Sequence, residues 1–107
     1  MFMKKKLSLV IPVFNEEGNL PFLYQKVVEL ADDVFDKYET EIILVNDGSK
    51  DSSWLLIKQL SAHDVRVKGV AFSRNFGHQM ALTAGYDRAT GDVIVALDAD
   101  LQHPPED

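Results

Sequence analysis

Ile42-Ile43-Leu44-Val45 runs without a polar residue and then breaks into Asn46-Asp47-Gly48-Ser49. A strand with one wet face alternates apolar and polar side chains. A continuously apolar strand is instead buried on both faces, as in parallel sheets covered by helices. Val93-Ile94-Val95-Ala96-Leu97 reads the same way and breaks into Asp98-Ala99-Asp100. Two further β-branched runs complete a set of four expected strands, at 7–13, 41–46, 67–72 and 92–97.

Helical spacing fills the intervals. Leu20, Tyr24, Val27, Ala31, Val34 and Tyr38 recur every three or four residues, with Asn19 placed as a cap before them. A second helix is expected from near Asp51, with Trp54, Ile57 and Leu60 turned inward. The third is expected over 76–89. Its small-residue stripe of Gly77, Ala81, Ala84 and Gly85 lets a helix lie close on a sheet, and Gly91 is the expected stop. Phe72, Phe76, Met80 and Trp54 read as core. The order β-α-β-α-β-α-β predicts an α/β fold, a mostly parallel sheet with helices on both faces.

Composition narrows the function classes. Seventeen acids against eleven bases give a net charge of −6, the opposite of the basic footprint that nucleic-acid binding needs. With no cysteine, disulfides and thiolate metal sites are excluded. Lys4-Lys5-Lys6 before Leu7-Ser8-Leu9-Val10-Ile11 imitates a signal peptide, but the apolar run is short and meets Pro12 without a small-x-small cleavage site. No apolar stretch approaches the roughly 20 residues that cross a bilayer, so the expectation is a soluble, cytoplasmic segment. The chain stops at Pro104-Pro105-Glu106-Asp107, straight after its most functional-looking stretch. Residues 1–107 are therefore expected to be one part of a larger domain.

Parallel α/β sheets bind ligands beyond the carboxyl ends of their strands, and the unusual polar residues collect there. Phe14-Asn15-Glu16-Glu17, Asn46-Asp47-Gly48-Ser49, Ser73-Arg74-Asn75 and Asp98-Ala99-Asp100-Leu101-Gln102 follow the four strands in turn. Residues two apart in extended chain project to one side, so Asp98 and Asp100 can reach a shared point. Two close carboxylates repel unless a cation joins them, and a hard ion such as Mg²⁺ or Mn²⁺ suits oxygen ligands and substrate phosphates. Gln102 offers a further oxygen.

Asp47, directly after a buried strand, is placed to accept from a base N–H, while Gly48 is explained by a tight turn. Ser49 and Asp51 read as caps of the second helix, a role that leaves ligand binding untouched. Glu17 suits the dipole of the first helix, and Glu16 is the ligand-binding candidate of that pair. Arg74 serves either a phosphate or a neighbouring acid. His78 and His103 read as structural hydrogen-bonders.

Together, Ser8-Leu9-Val10-Ile11-Pro12-Val13-Phe14-Asn15-Glu16-Glu17, Val45-Asn46-Asp47-Gly48-Ser49, Ser73-Arg74-Asn75-Phe76-Gly77 and 97–106 resemble family 2 glycosyltransferases. The polyprenyl-phosphate branch is the nearest in look: dolichol-phosphate mannosyltransferases and undecaprenyl-phosphate glucosyltransferases. The resemblance spans the whole chain and implies the GT-A fold. It implies an inverting transfer of a hexose from a UDP- or GDP-linked donor to a polyprenyl phosphate at the cytoplasmic membrane face.

By motif position, Pro12, Phe14, Glu16, Val45 and Asp47 would line the base and ribose pocket. Asp98 and Ala99 would approach the nucleotide. Asp100 and Gln102 would hold Mg²⁺ or Mn²⁺, with Asp98 a further candidate ligand. Catalytic and acceptor-side residues would fall beyond residue 107. Where many relatives have an acid, this chain has Asn46. The donor sugar, the base and the acceptor stay open.

Two rivals fit poorly. A receiver domain needs a lone phosphoacceptor Asp after strand three, where Ser73-Arg74-Asn75 stands. A dinucleotide fold needs G-x-G-x-x-G after strand one, and Asn15-Glu16-Glu17-Gly18 is not that. The alternative that stays open is a non-catalytic or nucleotidyl-transferring domain that binds nucleotide and metal without moving a sugar.

Overall fold

The computed structural model describes residues 4–33 and 36–99. The expectations for Val34, Asp100, Gln102 and His103 lie outside the described residues. Seven elements alternate: β1 (Lys5–Val13), α1 (Leu20–Asp33), β2 (Tyr38–Asn46), α2 (Ser53–His63), β3 (Val67–Ala71), α3 (His78–Arg88) and β4 (Val93–Ala96). The sheet order is β3-β2-β1-β4, and every pairing is parallel.

Alternation along the strands makes two cores. Leu7, Leu9, Ile11 and Val13, with Ile42 and Leu44, meet Leu20, Leu23 and Val27 of α1 and Ile57 of α2. On the opposite face Val10, Ile43 and Val45 meet Ala81 of α3. The small-residue stripe works as expected at Gly85, where a Cβ would stand 2.2 Å from Val10 Cγ1. Only glycine allows that closeness of helix to sheet.

Four expectations change. Tyr38 opens β2 opposite Lys5 instead of ending the helix, because strand pairing overrides a spacing an aromatic can satisfy either way. Strand β4 is not buried on both faces: Val93 and Ile94 are 40% and 43% exposed. It pairs with β1 alone, at the sheet's edge among the described residues, and α3 packs over β1 and β2. Phe76 and Met80 are exposed instead of core. Phe76 lies in the loop before α3, where its ring meets Phe72 edge-on at 5.5 Å, and Met80 sits one position off the buried Ala81. Finally, α3 is already capped at Ala89, and Gly91 instead donates its N–H to Ser8 Oγ on β1.

Beneath α3 lies a buried carboxylate. Glu41 accepts hydrogen bonds from Ser8 Oγ, from Lys68 Nζ at 2.7 Å and from the Thr90 N–H at 2.7 Å. Burial alone would push its pKa up, but the Lys68, Ser8 and Thr90 hydrogen bonds outweigh it and hold the group at about 2. At the same end of the molecule, Arg66 grips Asp64 through both oxygens while Tyr24 donates to Asp64 at 2.7 Å. The Arg66 hydrogen bond is the main reason that Asp64 lies well below the usual carboxylate range.

Candidate functional site

The carboxyl ends of β1, β2 and β4 open onto one cleft of about 570 Å³. Strand β1 and its loop contribute Pro12, Val13, Phe14 and Glu16, and the turn after β2 contributes Asp47. The segment leading into α3 adds Asn75, Gly77 and His78, and Asp98 and Ala99 follow β4. Six of the residues expected at a nucleotide site, Pro12, Phe14, Glu16, Asp47, Asp98 and Ala99, thus share one cavity. Val45 does not line it: its side chain is wholly buried against the α3 face of the sheet. Val45 lies within the strand and is covered there, while Asp47, two residues on and past the strand's end, reaches the opening.

Asp47 is the best-connected residue of the cleft. Its Oδ1 accepts the Phe76 N–H at 2.8 Å, and its Oδ2 accepts the Gly77 N–H at 3.0 Å and the Asn75 Nδ2 at 3.1 Å. A buried carboxylate therefore holds the entry to α3, where the helix dipole favours negative charge. A carboxylate has about four acceptor positions, so three donors leave room on Oδ1 for one more.

Gly48 is demanded twice over. Its φ is +70°, and a Cβ would fall 2.1 Å from Arg74 C and 2.3 Å from Asn75 N. The turn after β2 is thereby pressed against the loop before α3. Asn46, the departure from the family pattern, is buried, and its Oδ1 accepts the Ser49 N–H at 3.2 Å. An acid there could accept the same bond.

The caps differ in part from expectation. Asp51 stands one position before the N-cap of α2, which is Ser52 and makes no side-chain capping bond; its Oδ1 accepts the Ser53 N–H at 2.9 Å. Ser49 instead accepts the Asn15 N–H at 2.9 Å. Glu17 serves α2 and not α1, accepting the Ser52 N–H at 2.9 Å. Glu16 closes the start of α1 by its carbonyl, and its carboxylate accepts from Asn19 Nδ2 at 2.6 Å. Arg74 lies 4.6 Å over the Phe76 ring. His78, expected to be structural, lines the cleft as the first residue of α3.

Asn75 and Gly77 are functional-looking residues that the sequence reading placed in a loop and a packing stripe. Their signal was adjacency to the strand-three end. Ser53, fully buried with its Oγ on the Glu16 N–H at 2.9 Å, gave none.

The family model for glycosyl transferase family 2 matches residues 8–107. The chain belongs to that family. It is 52% identical over 99 residues to the uncharacterized glycosyltransferase YkcC of Bacillus subtilis, covering 92% of this chain and 30% of that protein. It is 48% identical over 101 residues to the prophage bactoprenol glucosyl transferase homolog of Escherichia coli K12, covering 94% of this chain and 32% of the relative. The chain therefore spans about a third of the length of these curated relatives.

The fold is that of the mannosyltransferase PcManGT from Pyrobaculum calidifontis, solved in complex with GDP-Man and Mn²⁺. The TM-score is 0.77 at 22% identity, over 92% of this chain and 28% of that one. The GT-A expectation holds.

Proposed function

We propose that the full-length protein transfers a hexose from a UDP- or GDP-linked donor to a polyprenyl phosphate, inverting the anomeric centre, and that residues 1–107 supply the donor-binding part. The observation carrying this is the shared cleft, in which Phe14, Glu16 and Asp47 meet Asp98 and Ala99. The bactoprenol glucosyl transferase homolog supports the acceptor class, and the GDP-Man and Mn²⁺ held by PcManGT support the donor class and a divalent ion.

In this reading the base lies against Phe14 and Glu16, and the remaining acceptor position of Asp47 takes a base N–H. The diphosphate points toward Asp98. Asp98 is an exposed oxygen donor on the cleft wall, a chemistry that fits Mg²⁺ or Mn²⁺, and Asp100 and Gln102 would complete the holding set. Among the described residues no three His, Cys, Asp or Glu side chains could hold a metal by themselves. When bound, the ion would supply Lewis-acid stabilisation of the charge gathering on the departing diphosphate. A phosphate acceptor is already anionic, so the transfer needs no general base from this part of the chain.

No helix among the described residues is long and apolar enough to cross a membrane. A full-length assay with UDP-glucose and GDP-mannose against undecaprenyl and dolichyl phosphate tests the proposal. Glycolipid formation with one donor is expected. Transfer only to a soluble acceptor would remove the lipid-phosphate assignment, and nucleotide binding without turnover of any donor would favour the non-catalytic alternative.

A further inference from the structure

The β1–α1 and β2–α2 loops are joined by hydrogen bonds that run both ways. Three successive N–H groups of the first loop donate to side chains of the second loop and of the first residue of α2: Asn15 to Ser49 Oγ at 2.9 Å, Glu16 to Ser53 Oγ at 2.9 Å and Glu17 to Asp51 Oδ2 at 3.2 Å. In return, Asn15 Oδ1 accepts the Lys50 N–H at 2.8 Å, and Glu17 Oε1 accepts the Ser52 N–H at 2.9 Å.

At the centre of this seam the Ser53 side chain is fully buried. Asp51 spans both loops, with Oδ1 on the Ser53 N–H and Oδ2 on the Glu17 N–H. Only the first of these bonds serves the start of α2. The start of α1 is already closed by the Glu16 carbonyl, which accepts from Asn19 and Leu20 at 2.9 Å each. The cross-loop bonds are thus additional to what the two helices require. They also fill successive N–H groups ahead of a helix, which in other nucleotide-binding folds are left free to cradle phosphate.

We infer that Ser53 and Asp51 are positioning residues for the donor pocket, fixing the backbone at Glu16 and so the Phe14 and Glu16 side chains on the cleft wall. The inference rests on the nucleotide-sugar reading of that cleft. Neither residue touches the cleft itself; each acts through the loop it holds. The pocket wall contacts the donor before and during transfer alike, so its loosening weakens binding without altering the chemical step.

The test uses the full-length enzyme with Ser53→Ala, Asp51→Asn and the core variant Ile57→Val, which trims α2 away from the seam. Donor KM, kcat and Tm are measured for each, with calorimetric binding of UDP and GDP. Ser53→Ala is expected to raise donor KM and nucleotide Kd roughly tenfold, about 1.4 kcal/mol, with kcat unchanged. Asp51→Asn, which sets an amide against the Glu17 N–H, is expected to move KM in the same direction, and it carries the test if Ser53→Ala does not fold. Ile57→Val should lower Tm without moving KM.

Wild-type KM in both seam variants, with only Tm lowered as in Ile57→Val, overturns the inference. Wild-type enzyme that neither binds nor turns over any nucleotide sugar removes the underlying reading, and the inference with it. That failure is visible before any variant is made.

Discussion

Glu41 and Asp47 flank the buried run 42–46 of one strand and hold opposite ends of the same helix. Glu41 accepts the Thr90 N–H just beyond the C-terminus of α3, and Asp47 accepts the Phe76 and Gly77 N–H groups just before its N-terminus. Between them, Gly85 lets the helix rest on Val10. The helix that carries His78 to the cleft wall is therefore located by β2 at both ends, and disturbing either carboxylate should be felt at the cleft.

Asp47→Ala in the full-length protein should cost about 1–2 kcal/mol, because it leaves the part-buried N–H groups of Phe76 and Gly77 without their charged acceptor. Asp47→Asn should do little better, since its amide nitrogen must face a donor on one side. Urea unfolding measures the first effect. Calorimetric titration with UDP and GDP should show nucleotide affinity falling in both variants.

The Glu41 carboxyl is held at about 2, below its ordinary value of 4.5. A depressed folded-state pKa contributes stability that is full above the unfolded value and lost as pH falls through the folded one. Stability should therefore decline between about pH 4.5 and pH 2, by on the order of a few kcal/mol for this group. Glu41→Gln should be less stable at pH 7 and lose less on acidification. Equal acid sensitivity of both proteins, read from urea midpoints across that window, would assign the decline elsewhere.

Gly85→Ala should destabilise, although alanine is the better helix former by about 1 kcal/mol. The new methyl meets Val10 Cγ1 inside a filled core, and overpacking costs about 1–3 kcal/mol. The companion change Val10→Ala in the same protein should recover part of the loss, which a helix-propensity effect alone would not do.

Nucleoside diphosphate binding by the full-length protein should weaken when Mg²⁺ and Mn²⁺ are chelated. Asp98→Asn and Asp100→Asn should reduce the metal-dependent part. Unchanged affinity in chelator would remove the ion from the proposed role, while leaving the base pocket around Phe14 and Asp47 in place.

Periodicity settled the order of elements, because hydrophobic spacing of the kind seen in 42–45 is imposed locally by burial of a strand between helices. The motif residues at strand ends were legible for the same reason: parallel strands that share a direction must open on one edge, and Phe14, Asp47 and Asp98 each follow one. Spacing failed where a partner in space decided the outcome. Tyr38 went to the strand because β1 pairs with it, and Val93 and Ile94 are exposed where β4 has one neighbour in the sheet among the described residues. The partners of each polar side chain were equally invisible. Asp51 read as a helix cap and Ser53 gave no signal, and only packing α2 beside the first loop gave them Glu17 and Glu16 to hold. Glu41 looked like one more strand residue until folding brought Ser8, Lys68 and Thr90 around it. Local pattern determines which residues are buried and which way strands run. A hydrogen bond between residues distant in sequence exists only once the elements have packed, so the bonds that hold the cleft in shape belong to the tertiary structure.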